Sequence, residues 1–175
     1  MTEDNPGESV LDSVDVCDED VQGVSQTEKR PGWRKIMITY DSGSNVDITP
    51  RTDNQQFPVR PCTGCRRNKN LAAANGTSIA IDGEKVLKFV TKEGHHLAWP
   101  FISGDVKKTL KSVGTTCDAG NYLLFTKWGG YVINEKTHDH LEFERTGNTY
   151  GMGVWVRDDG ETVEESSFGR QVVVR

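Results

Sequence analysis

Residues 36–43 read IMITYDSG, an apolar and β-branched run that closes on a tyrosine and then changes abruptly to an acid, a hydroxyl and a glycine. The first five positions have the composition of a buried strand. Asp-Ser-Gly is a sound way to end one on backbone grounds alone, because Asp and Ser side chains bond to nearby backbone and Gly relaxes the turn. A turn is therefore the baseline reading of Asp41. A chemical role for it has to come from the segments around it and their order.

Those segments form an all-β pattern from Trp33 onward. Residues 36–40 read as a strand, 46–48 as a short continuation, and 50–70 as a polar loop rich in Arg and Pro. Asn75-Gly76 and Asp82-Gly83 follow, both dipeptides that adopt the positive φ angles of tight hairpin turns. Residues 78–81 and 84–90 supply strand material, the latter alternating apolar with charged at first, and 97–102 form a further strand. The stretch VGTTCDAG at 113–120 is the one expected helix, short and closed by a glycine suited to a left-handed C-terminal cap. Residues 122–125, 131–133, 141–144 and 150–156 then read as strands separated by Gly129-Gly130, by 135–140 and by Gly147-Asn148. Many short strands with frequent turn signals mean a sandwich or a closed barrel.

The length of 175 residues suits one domain with tails. The expected division is an acidic disordered tail at 1–32, a folded domain at 33–157 and a polar tail at 158–175, in which 172–174 are either an added strand or a frayed end. The net charge of −5 is uneven. Residues 1–30 hold nine Asp/Glu against two Lys/Arg, which is −7 and leaves +2 for the rest. The densest basic cluster, Arg60, Arg66, Arg67 and Lys69, falls short of a nucleic-acid face and reads as a solvated loop. No basic n-region with an apolar h-region begins the chain, and no apolar run approaches the roughly 18 residues of a membrane span. A soluble, intracellular, cytoplasmic protein without a membrane partner is expected.

Cys17, Cys62, Cys65 and Cys117 are too few and scattered for a disulfide framework. Cys62 and Cys65 make a CxxC, but no second pair follows at zinc-knuckle spacing, so no metal and no cofactor are expected. His95, His96, His138 and His140 fall at hairpin tips or strand edges, where exposed histidine is ordinary.

The order of four motifs resembles the retropepsin-like aspartic protease domain of Copia-type retrotransposon polyproteins. The matching pieces are Asp41-Ser42-Gly43, Ala74-Asn75-Gly76, Leu110-Lys111-Ser112-Val113, and Cys117-Asp118-Ala119-Gly120-Asn121 running into YLLF and GGYVINEKT. The resemblance spans roughly residues 35–157 and implies a closed β-barrel with one short helix. It also implies an aspartic endopeptidase derived from a retrotransposon polyprotein, acting on an extended peptide or polyprotein. Such enzymes use two carboxylates that share one proton and activate one water between them. The chain has a single Asp-Ser/Thr-Gly, so the resemblance implies a homodimer with Asp41 contributed by each subunit. In that dimer Ser42 bonds across the base of the site and Gly43 donates its N–H to the carboxylate. Ala74, Asn75 and Gly76 form a flap that closes over the substrate.

The chain departs from the family pattern at three places. Ser44-Asn45 replaces an alanine after Asp-Ser-Gly. Lys111 stands beneath the active-site loop where an apolar residue is usual, and is expected either to meet a costly burial or to snorkel outward. Thr116 replaces an apolar residue of the helix. A second reading follows from these changes, in which the fold is a relic or a domesticated peptide-binding module without activity. A zinc- or RNA-binding module built on Cys62 and Cys65 is a third.

Overall fold

The structure, a computed structural model, describes residues 30–62 and 71–161. The expectations for the acidic tail, for residues 162–175 and for Cys17, Cys65, Arg66, Arg67 and Lys69 lie outside the described residues. Within them the chain is mostly β-sheet with one short helix.

Alternation sets the main strands. In β1 (Trp33–Asp41), Ile38 and Tyr40 are buried, while Met37, Thr39 and Asp41 occupy the other face by the period of two. β2 is Ile48–Pro50, and β3 (Leu71–Ala72) and β4 (Ser78–Ile79) make a separate small hairpin. β5 (Ile81–Val90) buries every second residue, ending on Leu87 and Phe89, and β6 (His96–Gly104) answers with Leu97, Trp99 and Phe101. Their turn is closed by Gly94, whose φ of 87° suits glycine and whose N–H donates to Thr91 O at 3.0 Å.

β7 (Leu110–Ser112) leads directly into α1 (Val113–Asp118). Ser112 caps this helix by accepting from Thr115 N at 3.2 Å, and Gly120 leaves it with a φ of 86°. β8 (Asn121–Phe125), β9 (Gly129–Asn134), β10 (His140–Thr146) and β11 (Thr149–Arg157) follow as consecutive antiparallel neighbours.

Among the described residues the main sheet has nine strands in the order β1-β7-β2-β6-β5-β11-β10-β9-β8, and β1 also pairs with β11. β1 is thus held on both edges: by β11, antiparallel from Trp33 opposite Arg157 to Tyr40 opposite Tyr150, and by β7, parallel from Thr39 to Asp41. β7 in turn pairs antiparallel with β2. The core gathers Ile38, Tyr40, Leu87, Phe101, Phe143 and Val154 with their neighbours.

Three local expectations are corrected. Asp82-Gly83 is not a hairpin turn but a break in register inside β5. Gly83 serves close approach there, since a Cβ would lie 2.5 Å from Arg60 O. Gly129-Gly130 opens β9 rather than separating strands, because a Cβ on Gly130 would meet Leu124 O at 2.0 Å and the Phe143 ring. The short strand expected at 46–48 lies two residues later, at β2, because Asp47 is drawn toward β7 and α1 by its side chain.

Candidate active site

Asp41 is the last residue of β1, opposite Ser112 in the parallel ladder with β7. Pairing on both edges of β1 fixes the backbone that carries this carboxylate, which is half-buried. Its Oδ1 accepts the Gly43 N–H at 2.8 Å, a charge-assisted bond that orients the group. Ser42 and Gly43 are exposed. A Cβ on Gly43 would lie 3.3 Å from Asp41 Oδ1, so the tight approach favours glycine. Among the described residues Asp41 takes part in no ion pair.

Beneath this loop lies a polar network centred on Asp47. Its Oδ2 pairs with Lys111 Nζ at 2.5 Å, and its Oδ1 accepts from Ser112 N at 2.8 Å and Thr115 Oγ1 at 2.9 Å. Ser112 Oγ, besides capping α1, donates to Ser44 O at 2.7 Å. The loop at 42–47 is therefore tied at both ends to the junction of β7 and α1. Lys111 does not snorkel: its side chain is 2% exposed, with its ammonium 5.0 Å from the Trp99 ring centroid. Thr116 is accommodated in the same way, its Oγ1 donating to Ser112 O at 2.8 Å. Ser44 turns its hydroxyl back to Val46 O at 2.6 Å. Next to Asp41 in sequence, Tyr40 has its phenol pushed far above the usual value, by burial first and then by the charges of Asp47 and Glu93, so it stays protonated.

The sequence pattern does not single out Asp47 or Thr115. The signal that points to them is the strand-like burial expected at Lys111, which demands a counter-charge, but the acid that meets it is 64 residues away.

Ala74, Asn75 and Gly76 sit at the exposed tip of the β3–β4 hairpin. Gly76 has a φ of 81° and donates to Ala73 O at 2.8 Å, while Asn75 Oδ1 accepts from Thr77 N at 2.9 Å. Among the described residues no hydrogen bond joins this tip to residues 41–43. A groove of about 870 Å³ runs beside β1, lined by Met37 and Thr39 with Lys107, Lys108, Glu144 and Thr149 among others, and Asp41 is not part of it. Its lining is largely charged and polar, with Arg34, Lys35, Asp53 and Asp158 also on it.

Cys62 is half-buried and Cys117 exposed, and they lie on separate segments. Among the described residues no three His, Cys, Asp or Glu side chains gather in metal-binding geometry. No described helix is long and apolar enough to cross a membrane. No protein-family model, no curated protein and no solved structure matches the chain.

Proposed function

We propose that this chain is one half of a homodimeric, retropepsin-like aspartic endopeptidase, with Asp41 from each subunit supplying the carboxylate pair. The observation that carries the reading is the setting of Asp41. A half-buried carboxylate ends a strand paired on both edges, accepts the following loop's Gly43 N–H, and stands on a loop clamped by Ser112 and Asp47. Such rigidity is what a catalytic carboxylate needs and a mere turn does not. The circuit of pairings from β1 through β7, β2, β6, β5 and β11 back to β1 supports the closed-barrel form of the fold.

In the proposed dimer the two carboxylates share one proton. One donates to the scissile carbonyl oxygen while the other takes a proton from the attacking water, and the roles exchange as the tetrahedral species collapses. The β3–β4 hairpin would close over the peptide and pair with its backbone. An inactive, domesticated binding module is the second reading. The Asp47–Lys111 pair weighs against a decaying relic, because a core losing constraint would leave the lysine without its counter-charge.

The test is pepstatin-sensitive cleavage of a peptide library at mildly acidic pH. Parent protein should cleave and Asp41→Asn should not. Equal cleavage by the two would remove Asp41 from the chemistry, and binding of an extended peptide without turnover would favour the binding module.

A further inference from the structure

The described residues begin at Arg30 and turn at once. Trp33 N donates to Arg30 O at 3.0 Å across Pro31-Gly32, Gly32 takes a φ of 77°, and Arg30 stands in an antiparallel bridge with Trp33. The chain that enters this turn therefore arrives along β1, running against it. Which edge of β1 it meets follows from alternation. Thr39 N, six residues on, donates to Thr109 O at the start of β7, and strand N–H groups an even number of residues apart point to the same edge. Arg30 thus lies on the β7 edge, away from β11, and β7 covers that edge only from Thr39 to Asp41.

The groove of about 870 Å³ lies along the stretch between. Arg34 and Met37 of β1 line one side, residues 54–56 the other, and Lys107 and Lys108, which lead toward β7, the far end. By the same alternation Met37 presents its N–H and carbonyl to this edge. Asp53, Glu144 and Asp158 on the lining nearly balance Arg34, Lys35, Lys107 and Lys108, so the groove as a whole is close to neutral. Its basic end is distinct: Lys107 and Lys108 are exposed and join no ion pair among the described residues.

The sequence before Arg30 has the same distribution of charge. Residues 24–29 read VSQTEK, with one acid and one base, whereas residues 1–29 together hold nine Asp/Glu against that one Lys. The register of Arg30 opposite Trp33, continued, sets Glu28 opposite Lys35 and Gln26 opposite Met37, and an opposite-charge pair across strands is favourable. At ~3.3 Å per residue, the run from Arg30 back to Val24 and β1 from Trp33 to Thr39 both span ~20 Å. Asp18-Glu19-Asp20 then follow within reach of Lys107 and Lys108.

We infer that residues 24–29 lie in this groove of their own chain, along β1, and that Asp18-Glu19-Asp20 pair with Lys107 and Lys108 at its end. The segment shields a strand edge that would otherwise accept a strand from another molecule. Its docking does not depend on the protease reading.

The test is hydrogen exchange of the full chain read by mass spectrometry, with carbodiimide cross-linking of an equal mixture of light and heavy-nitrogen chains, and urea midpoints confirming that each variant folds. Amides of residues 24–29 should exchange at least about tenfold more slowly than an unstructured chain of the same sequence. Lys107→Glu combined with Lys108→Glu should erase most of that protection, and high salt should act in the same direction. Gly32→Ala opposes the φ of 77° and should speed exchange at 24–29 about tenfold. In the parent, Asp18–Asp20 should link to Lys107 and Lys108 of the same chain in preference to Lys127 and Lys136, which are exposed elsewhere. Unprotected amides at 24–29, protection unchanged by the lysine substitutions, or links spread evenly over the lysines would each overturn the proposal. Links joining light to heavy chains would overturn it too, by placing the segment on a second copy. None of these readouts involves cleavage, so a protein that cleaves no peptide can still carry the docked segment, and an active protease can lack it.

Discussion

Replacing Asp47 by alanine should damage the protein far more than replacing its partner Lys111 by methionine. The two substitutions break the same 2.5 Å ion pair, so a pairwise view expects equal costs. The surroundings differ. Lys111 is 2% exposed, and in Asp47→Ala its ammonium keeps only the Trp99 ring at 5.0 Å, while Ser112 N loses its acceptor. Stranding a buried charge costs about 3–5 kcal/mol. In Lys111→Met the carboxylate keeps Ser112 N and Thr115 Oγ1, is 16% exposed, and the methionine refills the space. That loss should be about 1.5–3 kcal/mol, the scale of one charged hydrogen bond.

The double variant should then be more stable than Asp47→Ala alone by about 2 kcal/mol, since no charge is left stranded. Urea unfolding followed by tryptophan fluorescence measures all four corners, with Trp99 beside the lysine as an internal reporter, and the m-value checks that two-state behaviour holds. Single variants within about 0.5 kcal/mol of each other, or additive losses in the double variant, would show that the lysine is not buried on this carboxylate.

Other consequences are direct. Lys85 is buried and donates to Arg51 O at 3.0 Å and Asp53 O at 2.7 Å, and burial lowers its pKa against the opposing pull of Asp53 and Asp82. The unfolded chain then holds its proton more tightly, so stability should climb as pH rises toward the ordinary lysine value of 10.5, and Lys85→Met should lack that climb in pH-dependent urea melts. Gly130→Ala places a Cβ 2.0 Å from Leu124 O. It should cost at least about 2 kcal/mol and raise amide exchange in β8 and β9, because backbone has to move apart. Gly76→Ala imposes a side chain at a φ of 81° and should cost about 1 kcal/mol locally. If the hairpin is the flap, that variant raises KM for peptide with little change in thermal stability of the main sheet.

What the sequence revealed was whatever neighbours in the chain determine. Residues 36–40 read as the strand they form, Gly120 closes the helix, and Asn75-Gly76 marks the small hairpin, where only Gly76 takes the positive φ. Asp82-Gly83 carries the same signal as Asn75-Gly76, and only the approach of Arg60 O makes it a bulge instead of a turn. Lys111 looked misplaced because its counter-charge is on another strand. The pairing of β1 with β11 joins residues more than a hundred positions apart and leaves no local trace. The same limit hides the exposed edge of β8, whose YLLF reads as ordinary buried strand until the ladder shows that nothing described lies beyond it. Asp41 was legible as a strand end with a turn. Its fixed position depends on β7 and β11, which the strand itself does not encode.

In the proposed enzyme, two Asp41 carboxylates from two chains form one site. Calorimetric titration of the full chain with pepstatin at mildly acidic pH tests it most directly, because the inhibitor counts sites against chains. Saturation should come at one pepstatin per two chains and should be lost in Asp41→Asn. One inhibitor per chain, or binding that survives Asp41→Asn, would contradict it.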